Sequence, residues 1–147
     1  HTLPGMLIAI REMVKYGHQY ASQTVANAKA FGQALVDEGV NVEAKEFGFT
    51  ESHQLALNVT NFGAAKTLAR SLAENNNIIT NYNLLPGDKD PNNPSGLRIG
   101  VQEMTRYGMK ESDMQELAGL MKAGLEGKVV KDQIVKLRSL FTEIHYA

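Results

Sequence analysis

Four short stretches with strand-like alternation, at 40–44, 54–59, 78–80 and 96–100, are separated by only one segment of helical period, at about 64–74. That spacing restricts the fold. A doubly wound parallel sheet needs a crossover helix between every pair of strands, and this chain supplies one. The strands are therefore expected to pair mostly antiparallel, in an α/β (α+β) arrangement with helices on one face of a small sheet. The other face needs a cover or is a working surface.

Helical periodicity fills both ends of the chain. Residues 3–16 read as a first helix, with Pro4 near its start. Met6, Leu7, Ile8, Ala9, Ile10, Met13 and Val14 make it apolar around most of its circumference, so it is buried or packs against something else. Gly17 reads as a break, and 18–38 as a second helix with Ala21, Val25, Ala28, Phe31 and Leu35 on one stripe, capped by Gly39. Thr60 or Asn61 is a candidate cap for the crossover helix. Segment 101–108 reads as irregular or one short turn, 111–125 as a helix ended by Gly127, and Val130, Ile134, Leu137, Phe141 and Ile144 as a last helix running to the terminus.

A length of 147 residues suits one domain, 1–147, with one core. A net charge of −1 argues against nucleic acid and anionic membranes as partners. The absence of cysteine removes disulfides, thiol catalysis and thiolate metal sites, and fits a reducing, cytoplasmic setting. No apolar run is long enough to span a bilayer, and no basic region precedes the first apolar segment as in a signal peptide. An apolar helix begins within a few residues of His1, without an initiator methionine, so the chain is expected to be part of a longer protein.

The chemistry-bearing candidate is Gly96-Leu97-Arg98-Ile99-Gly100. Alternation puts Leu97 and Ile99 on a core face and Arg98 on the other, between glycines that admit a backbone or ligand. A guanidinium on a stiff strand suits bidentate capture of a carboxylate or phosphate. An exposed strand-end arginine or a structural ion pair would produce the same pattern, and from the pattern alone is the commoner occupant. Of His1, His18, His53 and His145, none forms the i, i+4 pair of a zinc-hydrolase helix, so no metal site is expected. His53, at a strand start, reads as a hydrogen-bonded structural histidine. Asp88-x-Asp90-x-Asn92 fails as a calcium loop: Asn93 stands where glycine is required and Ile99 at the twelfth position. There is no phosphate-binding glycine loop and no Gly-x-Ser-x-Gly elbow. The sequon at Asn58 falls in a strand expected to be buried.

Asn81-Tyr82-Asn83-Leu84-Leu85-Pro86-Gly87-Asp88, then Pro94-Ser95-Gly96-Leu97-Arg98-Ile99-Gly100, then Thr105-Arg106-Tyr107-Gly108-Met109 together resemble serine hydroxymethyltransferase. His1 to Ile10 is similar to the family's helix after a glycine pair, Gln23 to Ala30 to its next helix, and Thr50-Glu51-Ser52-His53 to its Thr-Asp-Asn-His segment. The wording from Pro94 to Arg106 looks closest to archaeal members. The resemblance implies the C-terminal domain of a fold-type I pyridoxal phosphate enzyme that interconverts serine and glycine using tetrahydrofolate or another tetrahydropterin, with residues 1–16 as the helix linking to a larger domain. It implies Arg98 on the substrate carboxylate and Asn83 on the pterin ring. No segment matches the family's Schiff-base lysine, so this chain alone is expected to be inactive, and the parent dimeric or tetrameric. Ser52 and Tyr82 depart from the family's usual asparagine and lysine. The rival readings are the same domain of a threonine aldolase, or a separate module binding RNA or a small anion.

Overall fold

The computed structural model describes residues 2–147; His1, the first residue of the helix resemblance, lies outside them. Helix α1 spans Leu3–Asp37, strand β1 Asn41–Val42, β2 Gln54–Asn58, helix α2 Ala65–Asn76, β3 Asn81–Asn83 and β4 Gly96–Gly100. Helices α3 (Gln102–Arg106), α4 (Met114–Leu125) and α5 (Lys131–Ser139) complete the chain, with single 3-10 turns at Lys45–Phe47 and Glu111–Asp113. The sheet runs β1-β2-β4-β3 and every neighbouring pair is antiparallel. The expected small antiparallel sheet is present. No helix among the described residues is long and apolar enough to cross a membrane.

Period-2 patterning sends Leu55 and Leu57 of β2 and Leu97 and Ile99 of β4 to one face, where all are buried. Phe31 and Leu35 of α1, Leu72 of α2 and Met114 and Met121 of α4 close over them. The methionines fill the irregular space where three helices meet a twisted sheet.

Four sequence expectations are corrected. The first two helices are one, because nothing crowds Gly17: the nearest atom to a Cβ built there is Met13 Cβ at 3.7 Å. A lone glycine costs a helix only about 1 kcal/mol, too little to break a rod anchored by its second half. The third strand lies at Asn81–Asn83, not at 78–80. Asn77 takes a left-handed conformation at φ 57°, and Ile78 N–H bonds back to Leu72 C=O at 3.0 Å, so that donor finishes α2. Thr60 caps no helix; its hydroxyl donates to Asn58 Oδ1 at 2.7 Å while α2 starts later, without a side-chain cap. The last helix stops at Ser139, and the tail folds back so that His145 N–H reaches Arg106 C=O at 2.8 Å. A smaller difference accompanies these: β1 is cut short where Ala44 turns left-handed; the short turn allowed for 101–108 is the five-residue α3.

Half of α1 has no cover among the described residues. Leu3, Leu7, Ile8, Ile10 and Val14 are all more than half exposed, whereas the stripe from Thr24 to Leu35 is buried.

Candidate functional site

The outer face of the sheet follows from the same alternation. Antiparallel partners point to the same side, so Arg98 shares its face with Ala56 on one flank and Asn81 on the other. Asn41, Asn58, Gly96 and Asn83 form the adjoining row, and Gln54 and Gly100 the next. The face thus consists of amides, alanine and glycine around one arginine. None of the four strands contains an acidic residue.

Arg98 is exposed, and its side chain makes no hydrogen bond or ion pair among the described residues. It lines an open groove of about 270 Å³ with His53, Gln54, Thr80, Asn81, Gln102 and Glu103. This removes the structural-ion-pair reading for this chain. The strand residues around the guanidinium are neutral and Glu103, at the groove wall, forms no ion pair with it, so its donors are uncommitted to any group of this chain. Thr80 Oγ1, also at the groove, is buried and has no partner among the described residues.

Two glycines of β4 let neighbouring side chains lie against the strand, one at each end. A Cβ on Gly96 would lie 2.5 Å from Leu85 Cγ and 2.9 Å from the Asn83 carbonyl, so Leu85 folds onto the strand only because residue 96 has no side chain. Asp88 holds that fold: its Oδ2 accepts Leu85 N–H and Ser95 N–H, both at 2.9 Å. These two bonds stabilise the anion and lower the Asp88 pKa from the ordinary carboxylate range. At the groove itself, a Cβ on Gly100 would collide with Gln102 Oε1, so the Gln102 carboxamide lies across the Gly100 backbone.

The segment after β4 is fixed to α1 by polar contacts. Tyr20 Oη donates to Gln102 C=O at 2.8 Å, and burial raises the Tyr20 pKa, which keeps the hydroxyl protonated. Arg106 pairs with Glu12 at 2.6 Å. Asn27, fully buried, donates from Nδ2 to Thr105 Oγ1 and Met109 C=O, both at 2.8 Å.

Of the residues singled out in the sequence, Arg98 and His53 meet in the groove, and His53 Nε2 lies 3.0 Å from Gln54 Nε2. Asn83 is exposed on the same face but outside the groove wall; its Nδ2 donates to Leu84 C=O at 3.1 Å. Gln54, Asn81, Thr80 and Gln102 were not anticipated. Gln54 was legible from the β2 alternation, whereas Asn81 was hidden by the misplaced third strand. A larger apolar cavity, about 320 Å³, lies beneath α5 between Met104, Met109, Met114, Met121, Ile134 and Leu137. It offers little chemistry, and the groove is the candidate site.

A pyridoxal phosphate site needs an amine for the aldehyde and a cradle of backbone N–H groups for the phosphate. The groove wall has no lysine and no glycine-rich helix N-terminus. The residues present do not fit that cofactor by themselves; the anion-binding group among them is the Arg98 guanidinium, with the Glu103 carboxylate on the same wall. No group of three or more His, Asp or Glu side chains is placed to hold a metal among the described residues.

The family model for serine hydroxymethyltransferase matches residues 1–121. A serine hydroxymethyltransferase of Methanobrevibacter smithii is 47% identical over 150 residues, covering 100% of this chain and 35% of the relative. One from Saccharolobus islandicus is 46% identical, covering 99% and 35%. The chain thus spans about a third of the length of these relatives. The crystal structure of L-threonine transaldolase from Pseudomonas fluorescens superposes with a TM-score of 0.83 at 32% identity, over 99% of this chain and 34% of that one.

Proposed function

Because the chain belongs to the serine hydroxymethyltransferase family, we propose that residues 1–147 are the C-terminal domain of a cytoplasmic, pyridoxal phosphate-dependent enzyme. It interconverts serine and glycine with tetrahydrofolate or another tetrahydropterin as carrier. In this reading the bare half of α1 joins the domain to the remaining two thirds of the protein, which supply the cofactor site and the Schiff-base lysine. This chain alone is inactive, and the parent is a homodimer or homotetramer.

The observation that carries the proposal is Arg98, unpaired on a sheet whose strands contain no acid, in a groove where Glu103 forms no ion pair with it. Its role is to take the α-carboxylate of the amino acid through two parallel N–H···O bonds. Holding that group fixes the rotation about Cα and thereby selects which bond is aligned for cleavage. The strand gives the arginine a rigid base, with buried Leu97 and Ile99 on either side of it. Asn83, on the same face, offers a donor and an acceptor from one amide, which suits the edge of a pterin ring. His53 stays a structural group at the groove rim.

Arg98→Lys in the full-length enzyme tests this. Lysine keeps the charge but not the fork, and charge-assisted hydrogen bonds of about 1.5–3 kcal/mol translate to roughly 10- to 100-fold weaker glycine and serine binding. Affinity equal to wild type overturns the assignment. The transaldolase likeness favours a second reading, the same domain acting in a threonine-type aldol enzyme. Serine turnover with no dependence on any pterin would select it.

A further inference from the structure

We propose that Gln102 is a second recognition group for the carboxylate taken by Arg98, its carboxamide being laid into the groove by the missing side chain at Gly100. The inference rests on the reading of Arg98 given above and adds a residue to it. Gly100 and Arg98 are two apart on one strand and share a face, so a group above Gly100 stands about 7 Å along the strand from Arg98. The arginine side chain is about as long as that spacing, so in this proposal its fork and the Gln102 carboxamide, which line one groove, approach the same carboxylate from two sides. The Gln102 side chain is the group found there: a Cβ at Gly100 would lie 3.2 Å from its Cδ and 3.3 Å from its Nε2, in addition to the collision with Oε1.

The placement is enforced from behind. The Gln102 carbonyl is held by Tyr20 of α1 at 2.8 Å, and the following turns are tied to α1 by Asn27 and by the Glu12–Arg106 pair. The backbone of residue 102 is therefore fixed, and its side chain makes no hydrogen bond within the chain among the described residues. A carboxylate has about four lone-pair sites, of which the guanidinium fork uses two. An amide N–H from Gln102 satisfies a third without adding charge. This arrangement tightens the grip on a carboxylate specifically, and leaves the affinity for a ligand lacking that group unchanged.

The test uses the full-length enzyme with pyridoxal phosphate, and equilibrium titration with glycine and with 2-aminoethanol, which is serine without its carboxylate. Gln102→Ala is expected to weaken glycine about five- to tenfold, one hydrogen bond's worth, and to leave 2-aminoethanol unchanged. Gln102→Glu, which sets a second anion beside the first, is expected to weaken glycine further. Gly100→Ala, at a residue whose φ lies outside the left-handed region, displaces the Gln102 side chain. It should reproduce the loss in the wild-type background and add nothing in the Gln102→Ala background. Equal losses for both ligands, or additive effects of the two substitutions, would overturn the proposal. Unchanged glycine affinity in Gln102→Ala together with a large loss in Arg98→Lys removes Gln102 and keeps Arg98. Unchanged affinity in Arg98→Lys removes both.

Discussion

Replacing Asn27 by alanine removes the one side chain that ties α1 to both ends of the turn beyond α3. Asn27 is fully buried, and its Nδ2 serves Thr105 Oγ1 and the Met109 carbonyl while its Oδ1 accepts Gln23 Nε2 at 2.9 Å. The two acceptors are not equally affected. Thr105 Oγ1 still donates to Val101 C=O at 2.9 Å and loses only an incoming donor. The Met109 carbonyl has no other partner among the described residues and is left orphaned. An orphaned buried carbonyl costs about 1–3 kcal/mol, and the space left by the amide adds about 1 kcal/mol, for a total of roughly 3 kcal/mol. For a chain of this size that lowers Tm by about 10 °C. Asn27→Asp separates hydrogen bonding from packing, because it keeps the shape and loses the donors. The introduced carboxylate would face two oxygens, so its folded-state pKa rises above the unfolded value near 4. By linkage the protonated form is the one the fold favours, so the variant's deficit is small below about pH 4 and grows as pH rises through the raised pKa. Thermal melts followed by circular dichroism between pH 4 and 8 read this directly. A deficit in Asn27→Asp that is independent of pH, or an Asn27→Ala variant as stable as wild type, would refute the donor argument.

Gly96→Ala should destabilise the chain by about 1–3 kcal/mol, because the new methyl meets Leu85 at 2.5 Å and the Asn83 carbonyl at 2.9 Å. Leu85→Ala should recover only part of that loss in a double-mutant cycle, since the clash with the backbone remains, whereas full recovery would show that strand β3 is free to move. Asp88 predicts a local acid transition. Its pKa is depressed by the two N–H groups it accepts, so its contribution is present above the unfolded value and is lost as pH falls through the folded one. The protection factors of the Leu85 and Ser95 amides, taken against the intrinsic exchange rate at each pH, should therefore fall in acid and in Asp88→Asn at neutral pH, and equal protection in that variant would show that other contacts hold the loop.

How far the fold was legible depended on what decided each element. Strands β2 and β4 were readable because their alternating leucines and isoleucine are what the core uses. Strand β3 was not, because Asn81-Tyr82-Asn83 has poor strand propensity and exists through its pairing with β4. The two isoleucines before it looked more like a strand, but the first closes α2 and the second is 87% exposed. The run from Leu3 to Asp37 was divided because glycine was read as punctuation, whereas tertiary anchoring of the second half decides the outcome. At the site, Arg98 was visible as a charge between two glycines. Gln102 was not, because its position depends on an absent Cβ two residues earlier and on a tyrosine 82 residues away.

The length of α1 has a mechanical consequence. At 1.5 Å per residue, its 35 residues form a rod about 52 Å long. One end is embedded in the core, and the other carries bare apolar side chains and is held to the fold through Glu12. A tilt of about 5° at the embedded end sweeps the free tip through about 2–4 Å. The reverse also holds: whatever grips the tip dictates the attitude of the sheet. The rivets at Glu12 and Tyr20 sit along that rod, so a nudge delivered at the tip reaches the floor beside Arg98 without crossing a single flexible loop.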